Sequence, residues 1–130
     1  MLKIGDKFEH VFVVDAAIHQ GFIALFKDTN PLHTDQTFAT AKGFRGKVMH
    51  GNILNGFLSY FVGECLPSKD VIIHRQTIKY RKPVYLDDRL MLSADVREIY
   101  ESVGAVVINF VFENQEKNKV ALGEIQIGTI

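Results

Sequence analysis

The chain has 130 residues, 47% hydrophobic and 23% charged, a length and balance that suit one soluble domain with its own core. Fifteen lysines and arginines offset fifteen acids, so the basic excess of a nucleic-acid binder is missing, and no apolar window nears the ~18 residues that cross a bilayer. The opening MLKIGDKFEH lacks a secretory apolar run and the lone cysteine, Cys65, has no internal partner, which makes a reducing cytoplasm the expected setting.

Phe8–Val14, FEHVFVV, is short, apolar and partly β-branched, a strand by pattern. Asp15 then suits the N-cap of a helix over 16–27, where Ile18, Phe22, Leu25 and Phe26 share one face. That helix is expected to stop near Lys27, because Asn30 precedes Pro31 and is pushed away from helical angles. DTNPLHTD, Asp28 to Asp35, reads as a helix exit and turn, and 37–51 as a loop or broken helix. Residues 52–66, NILNGFLSYFVGECL, are apolar around most of the helical surface, as in a helix buried on nearly all sides. One narrow stripe differs, carrying Asn52, Gly56, Ser59 and Gly63; its glycines suit close packing.

Four strands follow, over 71–81, 89–100, 104–112 and 119–128. In the second, Leu90, Leu92, Ala94 and Val96 alternate with Met91, Ser93, Asp95 and Arg97, as in an antiparallel strand covered on one face. The expected architecture is α+β, one domain over 1–130, with an antiparallel sheet around one apolar helix. Sheet edges and an open helix face would be satisfied by a second copy, most simply in a two-fold dimer.

No Gly-rich phosphate loop, HExxH or CxxC occurs, and the serine in GFLSYFVG is not framed by Gly-x-Ser-x-Gly. The five histidines, His10, His19, His33, His50 and His74, show no ligand spacing; no pattern supports a site from His33, His50 and an acid, so no metal is expected. His33 follows Asp28 by five residues across a turn, which could bring carboxylate and imidazole together for acid–base work on water. His50-Gly51 opens the apolar helix, where unpaired N–H groups suit an oxygen that becomes negative. Plainer duties fit too: Asp28 ends a helix, Asn30 favours a turn, His33 is a satisfied imidazole. On the loop alone, the plainer reading is the stronger one.

DTNPLHTD resembles the D-x-N-P-x-H motif of the MaoC-like dehydratases, including the (R)-specific enoyl-CoA hydratases. GFRGKVMHGNIL and IKYRKPVYLDDRL are similar to that family's downstream "HG" and F-x-x-P-V segments, in the right order over nearly the whole chain. The resemblance implies the hot-dog fold, a curved antiparallel sheet wrapped around a long central helix, as a homodimer or dimer of dimers with no nucleic-acid or membrane partner. It implies reversible hydration of a trans-2-enoyl thioester, on CoA or an acyl carrier, to the (R)-3-hydroxyacyl thioester. No cofactor is implied beyond the CoA or pantetheine of the substrate. By the same resemblance Asp28 and His33 are the catalytic pair and Asn30 orients them. The Gly51 N–H polarises the thioester carbonyl, and Ser59 falls where some members have an active-site serine. Lys27 and Asn52 depart from the pattern, standing where glycine or an acid, and methionine, are usual. The basic runs KGFRGK and HRQTIKYRK suit the phosphates of CoA. Two alternatives stay open, a hot-dog thioesterase and a non-catalytic acyl-CoA-binding subunit; the intact Asp28, Asn30 and His33 argue against the second.

Overall fold

The alternation at Leu90, Leu92, Ala94 and Val96 decides which face of the sheet is covered: all four are buried in the computed structural model, which describes residues 1–130. The elements run β1 (Lys7–Val13), α1 (Ala16–Phe26), α2 (Pro31–Thr34), α3 (Gln36–Ala41), α4 (Asn52–Tyr60), β2 (Val71–Tyr80), β3 (Arg89–Tyr100), β4 (Ala105–Glu113) and β5 (Lys119–Thr129). All strand pairs are antiparallel, in the order β1-β3-β4-β5-β2, so β1 and β2 are the free edges. Each expected strand is present with its ends displaced by one residue at most.

The core forms where α4 meets this face. Ile53, Leu54, Phe57 and Leu58 of α4, with Phe61 and Val62 of the π-helical turn that extends it to Cys65, pack with Leu90, Leu92, Phe110, Phe112, Ile125 and Ile127. Burying each such side chain stabilises the fold by roughly 1.5–3 kcal/mol. This is the expected hot-dog arrangement, α+β with the sheet against a central helix. One expectation is corrected. The central helix is buried on one side only, because Asn52, Gly56, Ser59 and Gly63 of its polar stripe are exposed.

The segment read as turn and broken helix holds two short helices. Asn30 accepts a hydrogen bond from Leu32 N (2.9 Å) and Pro31 occupies the first turn of α2, a position where a proline starts a helix rather than stopping one. Asp35 ends α2 and caps α3, accepting from Phe38 N (3.1 Å). The expected stop of α1 is real: Lys27 closes it at φ 63° in the left-handed region, its N–H donating to Ile23 O. That is where glycine serves best, which gives the departure at Lys27 a structural meaning.

Candidate active site

Asp28 emerges from the end of α1 with its side chain 49% exposed. Its Oδ1 accepts the Asn30 N–H at 3.2 Å, while the Asn30 side chain caps α2, the helix that carries His33. Asn30 thus bonds Asp28 through its backbone N–H and, through its side chain, starts the helix that carries His33. His33 Nδ1 lies 2.7 Å from Val48 O. A carbonyl oxygen only accepts, so Nδ1 carries the hydrogen and, in the neutral ring, Nε2 is left as a base. That Nε2 is 3.9 Å from Asp28 Oδ2, too long for a direct hydrogen bond and suited to two groups that share a small third molecule.

Gly51 lines the same cleft as His33. It is the N-cap of α4, and neither its N–H nor that of Asn52 finds an acceptor within the chain. Free amides at a helix start concentrate positive potential. A Cβ at Gly51 would lie 3.0 Å from the ring of the exposed Tyr80, so any other residue there makes that ring give way by a few tenths of an ångström. Gly51, His33, Tyr80, Arg81 and Lys82 line one cleft of about 360 Å³. A second, more apolar cleft of about 780 Å³ begins at Asp28 and runs between α1 and α4, past Ile18, Phe22, Phe26, Asn52 and Phe57. Ile53 borders both. His33 and Gly51 thus border one cleft and Asp28 the other, while Asn30 lines neither and sits between Asp28 and His33, bonded to Asp28. Ser59 lines neither and lies exposed on α4.

Two further histidines enter the site: His50, noted in the sequence only as the opening of the apolar helix and as a weak ligand candidate, and His19, which was not singled out. His50, 3% exposed, donates Nε2–H to Asp28 O at 2.9 Å, and its ring lies against that of His33, centroids 4.0 Å apart. Its Nδ1 is buried without a partner. His19, 2% exposed, donates Nε2–H to His33 O at 2.9 Å. Burial holds the His19 pKa below its usual 6.5, reinforced by the charges of Lys47, His50 and His33 and opposed by the hydrogen bond to the His33 carbonyl. Sequence offers one signal for His19: it lies on α1 beside Ile18 and Phe22, a polar ring on an apolar face. A polar chain also runs beside Gly51, from Gln76 to Asn55 and on to Asn52 and Tyr80.

One ligand atom each from Asp28, His33 and His50 falls within 4.8 Å of the others. Geometry nevertheless disfavours an ion held by both rings. Their planes are only 31° apart at 4.0 Å, so the lone pairs lie in two stacked planes, and each ring is fixed by a backbone acceptor. The set suits proton transfer.

Fold and site together define a hot-dog domain with an acid–imidazole pair beside the start of its central helix. Residues 7–119 match the model of the MaoC like domain family, and the chain belongs to that family. It is 32% identical over 100 residues to an (R)-specific enoyl-CoA hydratase of Aeromonas caviae, covering 77% of this chain and 75% of the relative. It is 24% identical over 127 residues to a mitochondrial 3-hydroxyacyl-(acyl-carrier-protein) dehydratase of Arabidopsis thaliana, covering 95% and 75%. Among solved structures, an unliganded R-hydratase from Pseudomonas aeruginosa superposes with a TM-score of 0.89 at 28% identity, covering 98% of this chain and 82% of the other.

Proposed function

We propose that this protein adds water reversibly across the 2,3 double bond of a trans-2-enoyl thioester, giving the (R)-3-hydroxyacyl thioester. The observation that carries the reading is the pair itself: His33 Nε2 and Asp28 Oδ2 stand 3.9 Å apart, with Nδ1 of His33 committed to Val48 O. A water molecule held between them loses a proton to the pair as its oxygen bonds to C3. The π electrons of the double bond move through C2 toward the thioester oxygen, which the Gly51 N–H meets. The enolate then takes a proton at C2 from the pair, so water is added and both groups return to their starting state. Proton transfer by such positioned groups contributes ~10²–10⁴-fold. No electron is gained or lost, so the reaction calls for no redox cofactor.

The two clefts give the substrate a direction. The apolar cleft past Phe22, Phe26 and Phe57 accepts the acyl chain, and Arg81 and Lys82 at the other meet the phosphates of CoA or of a pantetheine arm. The basic run around Arg45 contributes less, because that guanidinium lies on Tyr85 and 3.7 Å from Asp88. A homodimer in the cytoplasm completes the proposal; Ser59 reaches substrate only if a second copy covers the open side of α4.

The test is hydration of crotonyl-CoA and longer enoyl-CoAs, followed as loss of enoyl absorbance with chiral analysis of the product. Asp28→Asn and His33→Ala should each lower kcat by ~10²–10⁴-fold and leave the folded state intact. Normal turnover by both variants would refute their roles. A thiol trap in the same assay covers the thioesterase alternative, which predicts free thiol without hydration.

A further inference from the structure

We propose that His19 and His50 are positioning residues for the acid–base pair, each buried imidazole clamping the main-chain carbonyl of one catalytic residue. This rests on the assignment of Asp28 and His33 as that pair. The bonds cross between elements. His19, on α1, holds the carbonyl of His33 on α2, and His50, at the entry to α4, holds the carbonyl of Asp28 at the exit of α1. Asp28 lies outside any helix, and its carbonyl accepts no other hydrogen bond. The rings also touch: His50 packs on His33 at 4.0 Å and on Phe22 at 4.5 Å, with His19 5.8 Å away.

Packing alone does not explain these residues. Both are nearly sealed from solvent, where an apolar side chain avoids the loss of hydration that a polar ring suffers. His50 in addition leaves Nδ1 without a partner, a defect that a core chosen for stability would shed. The feature both rings share is an Nε2–H aimed at the backbone of a catalytic residue. Proton transfer in a shared water site depends on placement, and a displacement of about 1 Å costs ~10²-fold in rate. The His50 clamp fixes Asp28 relative to α4 and the Gly51 N–H that starts it, and the His19 clamp fixes His33 relative to α1, at whose exit Asp28 lies.

Variants of the full chain separate clamping from packing. His50→Leu fills the space and removes the donor, whereas His50→Gln places an amide N–H near the position of Nε2. The expected result with crotonyl-CoA is a ~10²-fold fall in kcat for His50→Leu, KM within threefold of the parent, and recovery of most of that loss in His50→Gln. The two variants should melt at similar temperatures. His19→Leu and His19→Gln should repeat the pattern more weakly, since His33 keeps its second tether to Val48 O. If His50→Leu does not fold, His50→Asn replaces it, its amide being too short to reach Asp28 O. Unchanged kcat in His50→Leu overturns the proposal, as does a Gln variant no better than the Leu or Asn one. Failure of the unmodified protein to hydrate any enoyl-CoA would instead overturn the hydratase reading, a separate outcome.

Discussion

Gly51 begins α4 at φ −58° and ψ −34°, angles that proline also adopts at a helix start, and its N–H bonds to nothing inside the chain. Gly51→Pro therefore deletes the proposed oxyanion donor and breaks no existing hydrogen bond. Proline also adds a Cβ that meets the Tyr80 ring at 3.0 Å, so Gly51→Ala, which adds the same atom and keeps the N–H, is the matching control. Relative to the alanine variant, the proline variant should lose ~10²–10³ in kcat, the worth of one oxyanion donor. Equal rates in the two would remove Gly51 from the chemistry. The nearness of these residues was legible in sequence, since Asp28, Asn30 and His33 fall within six positions and Gly51 starts the helix it belongs to; their proposed roles came from the family resemblance, the loop alone favouring the plainer reading. The nearness of His19 and His50 to them was not, since each bonds a carbonyl 14 or 22 residues away, a separation no spacing rule spans.

The same division holds for elements. Strands were legible because one covered face forces a period of two, and β3 keeps it from Leu90 to Val96. Helix α2 was missed and α3 was read only as a loop or broken helix, because their starts depend on caps from Asn30 and Asp35, and Asn-Pro was read as an ending alone. Helix α1 carries its own pH response through His19. Its pKa is lowered mainly by burial, then by the nearby charges of Lys47, His50 and His33, so the unfolded chain takes the proton more readily than the folded one. The contribution is fully present above pH 6.5, the unfolded value, and is lost as pH falls below it through the folded value. His19→Gln keeps the donor and does not titrate. Urea unfolding at pH 7.5 and 5.5 should show a smaller drop in stability for the variant than for the parent; equal drops would mean that His19 does not titrate differently in the two states.

Across the whole molecule, one free sheet edge lies beside the open helix stripe. β2 is joined to α4 by the bonds of Asn55 to Gln76 and Tyr80, while the β1 edge lies at the far end of the sheet. β2 ends the sheet with an unpaired edge, Ile72 and Tyr80 on it are 50% and 48% exposed, and the stripe Asn52, Gly56, Ser59, Gly63 is open along the central helix. An exposed edge favours pairing with another chain, and the two-fold self-pairing proposed above would close the β2 edge and cover the stripe. That arrangement also explains why a sequence apolar enough for a fully enclosed helix leaves one side uncovered in a single chain. Light scattering on the eluted protein should give twice the chain mass of 14.7 kDa. A Cβ at Gly63 meets nothing within 4 Å, so Gly63→Arg is tolerated by the isolated chain and obstructs only a partner lying over the stripe. The variant should elute as a single chain with an unchanged circular dichroism spectrum. A parent that elutes at 14.7 kDa would leave the acid–imidazole pair standing and remove Ser59 from the site, because nothing would then bring substrate to that side of the helix.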